Sequence, residues 1–382
     1  MATLPNAYSQ SVSLAAVLAS CFAAVEHGTP QLELPPVDAA VVVLADGLGA
    51  LPLKARAGHA RTIAPRLSRR TTIESGFPTT TAAALATLCT GVYPGQHGIT
   101  AYEAVDPEAD RVFNHLSGWR TGPDPATWQR VPTLFETHAA ATGIRSYLVG
   151  QARYASTRLT QAVHRGAEYV PARSIAERMS AAISLARAGR AVVFVYVPEL
   201  DMAAHQYGWQ SPEWTAALEE LDAGMAQLER GLGKTHGALL TADHGMVDIA
   251  ESGKLFFDRE AELIDGVRHV AGDYRCVQLH LESGATAGDL ERLARVWHEA
   301  EDDRAWIATR DEAVAAGWFG PNGVDAQVLP RIGELLIAAR SQVVYYDTRS
   351  TNAGNWSMVG QHGSFSPDEV RVPLIGFGAF AA

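Results

Sequence analysis

Two runs of apolar residues without polar alternation constrain the fold of this chain most strongly. They are Ala39–Ala45 (AAVVVLA) and Ala191–Val197 (AVVFVYV), and such runs are typical of strands that are covered on both faces. Shorter apolar runs and amphipathic helical segments alternate with them along the chain. The pattern predicts an α/β fold with a mostly parallel central sheet and helices on both faces. We expect further strands at residues 146–149, 238–241 and 373–377, and helices at 175–188 and 212–232.

The sequence pattern changes after about residue 250, where shorter strands and a helix follow one another. We predict an α/β core over residues 1–250, a small α+β insertion over 251–355, and a return to the core sheet over 356–382. Within the insertion we expect strands at 275–281 and 304–309 and a helix at 287–301. Residues 334–339 and 342–347 resemble a hairpin.

The apolar N-terminal segment 13–25 (SLAAVLASCFAAV) imitates the middle of a signal peptide. However, no Lys or Arg precedes it, Glu26 and His27 follow it, and a membrane span takes about 20 apolar residues. We favour a buried helix over a signal. Cys21, Cys89 and Cys276 show no disulfide or metal spacing, as is typical of reduced thiols. We therefore expect a cytoplasmic protein.

The charge balance limits the partners of the chain. Among the 382 residues, 31 are basic and 42 are acidic, which gives a net charge of −11. A chain-wide negative field disfavours a nucleic-acid polymer or an anionic membrane as partner, although one local site can still be positive. The sequence contains no signal for an oligomeric state.

Several apolar runs end in residues that can bind metals. Ligands in open parallel sheets gather at the carboxyl ends of the strands, so residues far apart in sequence can meet there. Each residue alone also has an ordinary explanation as a turn, a cap or a surface pair. Together they suit two divalent metals, and oxygen and nitrogen ligands without thiolate favour zinc, with manganese or iron as alternatives. These residues are Asp46, Asp201, His205, Asp243, His244 and His362.

The segment 76–91 (GFPTTTAAALATLCTG) supplies hydroxyl groups. Its proline, its run of threonines and its alanine-rich continuation predict the start of a helix. A hydroxyl there meets the positive end of the helix, which favours an alkoxide and a bound phosphoryl group. Two metals about 3.5–4 Å apart can clamp the attacking and leaving oxygens of a phosphoryl displacement. The alternative is a threonine cap without chemistry.

The order of these motifs resembles that of the alkaline phosphatase superfamily. The segments are Asp46-Gly47, TTTAAALATLCTGVYPGQHGI (79–99), ELDMAAHQYG (199–208), TADHGM (241–246) and QHGSFSPDEVRVPLIGFG (361–378). The chain is most similar to the type I phosphodiesterase/nucleotide pyrophosphatase branch, and the resemblance covers nearly its whole length. It implies a two-metal hydrolase that cleaves phosphodiester or pyrophosphate bonds of a small phosphorylated substrate, such as a nucleotide. The metals would be zinc or manganese.

The resemblance also implies roles for individual residues. Asp201, His205 and His362 correspond to the ligands of one metal. Asp46, Asp243 and His244 correspond to those of the other, which also contacts the nucleophile. The family's nucleophile lies ten residues before the glycine of a Thr-Gly pair. Counting back from Gly91 in Thr90-Gly91 indicates Thr81, which would carry a phospho-threonine intermediate, and the register alternatives are Thr80 and Thr79.

The chain departs from the family at one substrate-binding position. Tyr102 stands where this branch usually has an asparagine that donates to a phosphoryl oxygen. A phenol can donate the same hydrogen bond. We expect Tyr102 and Tyr154 to pack against the second substituent of a diester. Arg153 is the nearest cation, with an ordinary surface position in a loop as the alternative. The alternatives are a phosphomonoesterase, a phosphonate-ester hydrolase, a phosphosugar mutase and a non-catalytic phosphate binder.

Overall fold

The computed structural model describes residues 3–6, 8, 12–120, 122–349 and 353–381. Within these ranges the strands are β1 (Ala39–Ala45), β2 (Thr72–Glu74), β3 (Glu103–Asp106), β4 (Arg111–Asn114), β5 (Arg145–Gly150), β6 (Glu168–Pro171), β7 (Ala191–Val197), β8 (His236–Thr241), β9 (Val247–Asp248), β10 (Lys254–Phe256), β11 (Val267–Asp273), β12 (Cys276–Leu281), β13 (Ala305–Thr309), β14 (Leu335–Ala339), β15 (Val344–Tyr346), β16 (Gly360–Gln361) and β17 (Arg371–Gly378). The helices are α1 (Leu14–Glu26), α2 (Ala50–Ala55), α3 (Thr81–Thr90), α4 (Pro94–His97), α5 (Pro125–Trp128), α6 (Leu134–Thr142), α7 (Arg158–Val163), α8 (Ile175–Arg187), α9 (Glu199–Tyr207), α10 (Pro212–Gly231), α11 (Ala287–Glu301), α12 (Arg310–Ala315) and α13 (Pro367–Val370).

The central sheet has the strand order β2-β17-β8-β1-β7-β5-β6. Strands β8, β1, β7, β5 and β6 are parallel, and β17 runs antiparallel to both of its neighbours. Every residue of β1 is buried, so both faces of this strand are covered. Helices α1 and α8 both pack against β1. The prediction of a mostly parallel sheet in an α/β fold is confirmed.

The N-terminal helix α1 belongs to the core of the protein. Ten of its 13 residues are buried, including Leu14, Leu18 and Phe22. Its apolar composition therefore reflects packing against the central sheet, and the prediction of a buried helix is confirmed. Among the helices in the described ranges, none combines the length and the apolar character needed to cross a membrane.

A second sheet is antiparallel throughout and has the order β13-β14-β12-β11-β3-β4. The predicted strands and helix of the insertion occur, with Trp297 of α11 buried in the core of this sheet. The predicted hairpin is wrong, because β14 already pairs on both edges, with β12 and β13, and has no free edge for β15. Strand β15 instead pairs with β10. The sheet also takes β3 and β4 from the segment that we assigned to the core.

One side of the second sheet supports two loops that approach the central sheet. Phe77 precedes helix α3 and Phe365 follows β16, and their rings stack with centroids 4.0 Å apart. Both belong to a buried cluster with Trp318 and with Leu336 of β14. The second sheet therefore holds these loops in position through buried apolar contacts.

Three buried histidines predict a loss of stability in acid. Burial lowers the pKa of His97 and His164 to about 3 and that of His115 to about 4. The unfolded chain binds protons at these sites below about pH 6.5, whereas the folded protein does not. We therefore expect the free energy of unfolding to fall by about 2 kcal/mol per histidine between about pH 7 and pH 5.

Urea denaturation of the His164→Phe variant tests this expectation. His164 lies beside Phe135 and Phe194, and both of its ring nitrogens lack hydrogen-bond partners, so phenylalanine suits the site. The stability difference between wild type and variant should shift by about 2 kcal/mol over that pH range. The His27→Asn variant removes an exposed imidazole as a control. A pH-independent difference for His164→Phe would contradict the expectation.

Candidate active site

The site lies at the carboxyl end of the central sheet, where three neighbouring parallel strands stop together. Asp46 follows β1, Asp243 and His244 follow β8, and Asp201 lies in the first turn of α9 after β7. The Asp46-Gly47 turn approaches α9 closely, since a Cβ on Gly47 would lie 3.0 Å from the Asp201 Cα. Glycine also permits the positive φ of 72° at this turn.

Asp46, Asp243 and His244 form the deep part of the site. The His244 Nε2 lies 3.4 Å from the Asp46 Oδ1 and 3.6 Å from the Asp243 Oδ2, and all three side chains are buried. Other donors occupy the remaining carboxylate oxygens. Tyr196 donates to the Asp46 Oδ2, and the backbone amides of Gly47 and His244 donate to the Asp243 Oδ1. One oxygen of each aspartate is thereby left facing the site.

Asp201, His205 and His362 form the outer part of the site, which is partly exposed. The Asp201 Oδ1 lies 3.3 Å from the His205 Nε2 and 3.8 Å from the His362 Nε2. The two Nε2 atoms are 3.3 Å apart. The His362 ring stacks on that of His244 at 3.6 Å between centroids, which joins the two parts into one centre.

The donor set fits divalent metals. Among the described residues, Asp46 Oδ1, Asp201 Oδ1 and Asp243 Oδ2 are buried oxygens without a hydrogen-bond partner. The Nδ1 atoms of the three histidines contact the carbonyl oxygens of Gly360, Gly245 and Thr79, so each Nδ1 donates and each Nε2 keeps its lone pair. Ligand atoms of Asp46, Asp243 and His244 lie within 4.8 Å of one another, as do those of Asp201, His244 and His362.

Burial makes these carboxylates costly to ionise without a cation. It raises the pKa of Asp46 well above its ordinary value, and the charges of Asp243 and Asp201 raise it further. Burial likewise raises the pKa of Asp243 to about 7. A divalent cation between these oxygens removes the penalty, because an opposite charge favours the ionised form.

Thr81 is the threonine whose hydroxyl faces this centre. It is the first residue of α3, and its Oγ1 lies 3.2 Å from the His244 Nε2. The Thr79 hydroxyl instead donates to the Ser364 carbonyl and accepts from the Gly363 amide. Thr80 hydrogen-bonds to Asp273. The two contacts of Thr79 link the start of α3 to the loop of His362.

Two cavities meet at Thr81, Leu116 and Asp201. The first, of about 180 Å³, lies on the Asp46 side and is mostly apolar, with Leu85, Leu148, Leu159, Tyr154, Tyr169 and His164 among its lining residues. The second, of about 160 Å³, lies on the side of His205 and His362. Tyr102, Asp273, Tyr274, Asn355 and Met358 also line it.

The three predicted substrate-binding residues lie in different places. Tyr154 lines the first cavity, with its ring 5.7 Å from that of Tyr196. Tyr102 lines the second cavity, and its hydroxyl pairs with the side chains of Asn114 and Asn355. Arg153 is exposed, contacts Met202 and Tyr154, and is not among the residues that line either cavity.

The sequence model of the type I phosphodiesterase/nucleotide pyrophosphatase family matches residues 40–365, which include the whole site described above. The chain belongs to this family. The family comprises phosphodiesterases and nucleotide pyrophosphatases, and its members depend on metals.

Two fungal relatives are similar to this chain at low identity. The chain is 23% identical over 268 residues to an uncharacterized pyrophosphatase/phosphodiesterase of Schizosaccharomyces pombe, covering 64% of this chain and 55% of that protein. It is 26% identical over 208 residues to ectonucleotide pyrophosphatase/phosphodiesterase 1 of Saccharomyces cerevisiae, covering 45% of this chain and 28% of that protein. The chain thus spans about half or less of these relatives.

Solved structures of the family share the fold. Human ectonucleotide pyrophosphatase/phosphodiesterase 5 matches with a TM-score of 0.66 at 16% identity, covering 90% of each chain. An inactive variant of the mouse protein, in complex with AMP, matches with a TM-score of 0.65 at 16% identity, covering 88% of this chain and 87% of that one. The likeness confirms the α/β architecture that we predicted.

A buried ion pair holds the loop of His362. Arg275 and Glu369 are both fully buried and form two hydrogen bonds of 2.8 Å. Glu369 also accepts from the backbone amide of Ser364. The Glu369→Gln variant leaves a buried guanidinium without its counter-charge, and we expect it to lower the free energy of unfolding by about 3–5 kcal/mol.

Urea denaturation checks this value, with Glu229→Gln as the matched control. Glu229 pairs with Arg66 at 2.8 Å, but both side chains are about one-third exposed. Its loss should therefore cost less than about 1 kcal/mol. Equal losses in the two variants would show that burial does not set the strength of the inner pair.

Sequence reasoning missed several residues around the site. The Tyr196 hydroxyl donates to Asp46. In the sequence, the only feature that marks Tyr196 is its polar hydroxyl near the end of the apolar strand β7. Asp273 is the last residue of β11 and Tyr274 follows it, as Asp46 follows β1, but β11 belongs to the other sheet. No local signal marks Leu116, which is 45% exposed at the junction of the cavities.

Proposed function

We propose that this protein hydrolyses phosphodiester or pyrophosphate bonds of a small phosphorylated substrate. Family membership supports the reaction class. The observation that carries the proposal is the position of the Thr81 hydroxyl beside His244, where unpaired carboxylate oxygens and imidazole nitrogens converge. A hydroxyl nucleophile at such a centre suits in-line displacement at phosphorus.

We propose two divalent cations as cofactors, zinc first and manganese second. Asp201, His205 and His362 would hold one, and Asp46, Asp243 and His244 the other, since ligand atoms within each set lie 3.3–3.8 Å apart. When bound, the cations would supply positive charge for the attacking and leaving oxygens. Oxygen and imidazole donors without thiolate support zinc.

Thr81 acts as the nucleophile in this proposal. Its Oγ forms a bond to phosphorus as the bond to the leaving oxygen breaks, and the hydroxyl proton passes through solvent to the leaving oxygen, which gives a phospho-threonine and a free alcohol or phosphate. Water then attacks the same phosphorus, and the Thr81 oxygen leaves with a proton. The first amide groups of α3 lack helical partners and place partial positive charge beside the phosphoryl oxygens.

The two cavities support a diester over a monoester. A diester carries substituents on both sides of the phosphorus, and the cavities open on both sides of Thr81. Among the described residues that line them there is no Lys or Arg, which a doubly charged monoester favours. The mostly apolar first cavity suits an aromatic or nucleoside substituent, and the AMP complex of the mouse relative supports a nucleotide.

The test is the ratio of kcat/KM for bis(4-nitrophenyl) phosphate to that for 4-nitrophenyl phosphate, measured under identical metal loading. We expect the diester to be preferred by about tenfold, which corresponds to about 1.4 kcal/mol, because no Lys or Arg lining the cavities adds to the cations for the extra charge of a monoester. A ratio below one would favour a phosphomonoesterase and would make Arg153 the first residue to replace.

We also propose that the protein is cytoplasmic. Cys21, Cys89 and Cys276 are buried and unpaired, as is typical of a reducing compartment. Recovery of the protein outside the cytoplasm of the producing cells would contradict this location.

A further inference from the structure

The side chain of Asp46 is oriented by a tyrosine of the neighbouring strand. Tyr196 lies near the end of β7, and its hydroxyl donates to the Asp46 Oδ2. Within the described part of the chain, the Asp46 Oδ1 remains a buried oxygen without a hydrogen-bond partner, 3.4 Å from the His244 Nε2. The tyrosine hydroxyl therefore determines which oxygen of Asp46 faces the deep part of the site.

The pairing of β1 with β7 brings these two residues together. The strands are parallel, with Leu44 opposite Tyr196, and the amide of Asp46 donates to the Val197 carbonyl at 2.9 Å. Strand β7 thus holds Asp46 through its main chain as well as through the hydroxyl. A carboxylate that is fixed in this way is already oriented before a cation binds.

A buried arginine holds the end of β7 in place. Arg178 of α8 is fully buried, and its Nη1 donates to the Tyr196 carbonyl at 3.1 Å. Its Nη2 donates to Glu199, the first residue of α9. The same guanidinium therefore fixes both the residue that orients Asp46 and the helix turn that carries Asp201.

The ring of Tyr196 has a separate set of contacts. It lines the first cavity, and its centroid lies 5.7 Å from that of Tyr154, with the two rings at 75°. Phenylalanine at this position keeps the aromatic ring and these apolar contacts. The Tyr196→Phe variant therefore removes the hydroxyl alone.

We propose that Tyr196 is a positioning residue for the metal centre, whose hydroxyl keeps the Asp46 Oδ1 turned toward the cation held by Asp46, Asp243 and His244. The proposal rests on the two-metal function proposed above. In this role the hydroxyl contacts neither the substrate nor the cation and acts only through Asp46. Groups that orient a metal ligand typically contribute about 10–100-fold to metal affinity.

Titration of the metal-free protein with zinc, in the presence of a competing chelator, tests the proposal without turnover. Wild type should bind two equivalents. In Tyr196→Phe one equivalent should bind about 10–100-fold more weakly, because the freed carboxylate of Asp46 can turn away from the cation. The other equivalent should bind as in wild type, because Asp46 belongs to only one of the two proposed ligand sets.

Tyr345→Phe is the matched control. The Tyr345 hydroxyl donates to the Glu301 carboxylate at 2.8 Å, and both residues are buried. Tyr345 belongs to the core of the second sheet, so the variant loses the same kind of hydrogen bond outside the metal centre. It should bind both equivalents of zinc as wild type does, which separates the effect on Asp46 from a general loss of stability.

A double-mutant cycle with Asp46→Ala separates positioning from packing. Asp46→Ala removes a ligand and should itself weaken one equivalent of zinc. Adding Tyr196→Phe to this variant should change the affinity by less than about twofold, because the hydroxyl then has no ligand to orient. A contribution from packing in the first cavity would instead lower the affinity equally in both backgrounds, and this result would contradict the proposal.

Turnover of the aryl diester gives a second readout. At a zinc concentration that just saturates wild type, Tyr196→Phe should lower kcat by about tenfold or more. KM should stay the same, because the ring that lines the first cavity is retained. A large excess of zinc should restore most of kcat. A raised KM without a change in zinc affinity would make Tyr196 a substrate contact instead of a positioning residue.

The remaining outcomes separate this proposal from the proposed function. Wild-type zinc affinity in Tyr196→Phe, or equal losses in Tyr196→Phe and Tyr345→Phe, would overturn the role of Tyr196 and leave the hydrolase intact. A wild-type protein that binds two equivalents but cleaves no diester would overturn the proposed function alone. A wild-type protein that binds fewer than two equivalents would overturn both.

Discussion

Replacement of Thr81 by alanine should lower kcat for the aryl diester by at least about a thousandfold. The hydroxyl is the atom that attacks phosphorus in the proposed reaction, and no other threonine hydroxyl of the segment faces His244. Stability should change by less than about 1 kcal/mol, because alanine is a good helix former at this first position of α3. Steady-state kinetics and urea denaturation measure the two effects.

Two further variants serve as controls for the role of the Thr81 hydroxyl. Thr81→Ser keeps a hydroxyl and should retain measurable turnover. Thr90→Ala makes the same substitution at the other end of α3, where the hydroxyl donates to the Ala86 carbonyl, and should stay active. Retained activity in Thr81→Ala with loss in Thr80→Ala would place the nucleophile one residue earlier.

Removal of divalent metal should abolish turnover and destabilise the fold. Without a cation, the buried carboxylates of Asp46 and Asp243 and the partly exposed carboxylate of Asp201 face one another's charge. Metal at a thousandfold excess over its Kd stabilises the folded state by about 4 kcal/mol. We therefore expect chelation to lower the Tm and zinc or manganese to restore both stability and activity.

Elemental analysis should find two equivalents of metal per chain in the active protein. Asp243→Asn should lower this content and the rate together, because a ligand oxygen of the deep set is lost. Asp248→Asn is a control just outside the centre, where the carboxylate accepts from the Trp209 amide. Full activity with one tightly bound metal or none would refute the two-metal proposal.

Much of the fold follows from local sequence patterns. Strands β1 and β7 occur residue for residue where the apolar runs predicted them, because complete burial on both faces leaves an unmistakable composition. Helix α11 also occurs at the predicted residues, since an apolar stripe at helical spacing depends only on neighbours along the chain. The convergence of Asp46, Asp201 and Asp243 was predictable because parallel neighbours end at one edge.

Other features depend on contacts between distant segments. The hairpin failed because both edges of β14 were already paired, and local patterning does not show which edges are free. Strand β3 joins the second sheet where Glu103 faces Gly272, a pairing without any local signal. The Arg275–Glu369 pair, which anchors the loop of His362, also has no local signal in the sequence.

The sequence by itself therefore determined the α/β class, the central strands and the set of carboxylates, imidazoles and threonines that meet in the candidate site. Only the tertiary structure decided which threonine hydroxyl faces His244, because three adjacent threonines share the same local pattern. It also decided that Asp273 and Tyr274, at the end of β11 in the second sheet, line the cavity beside His205 and His362. The physical reason is that helix and strand patterns record only whether a side chain is buried, whereas the neighbours of that side chain depend on how separate sheets and loops pack together.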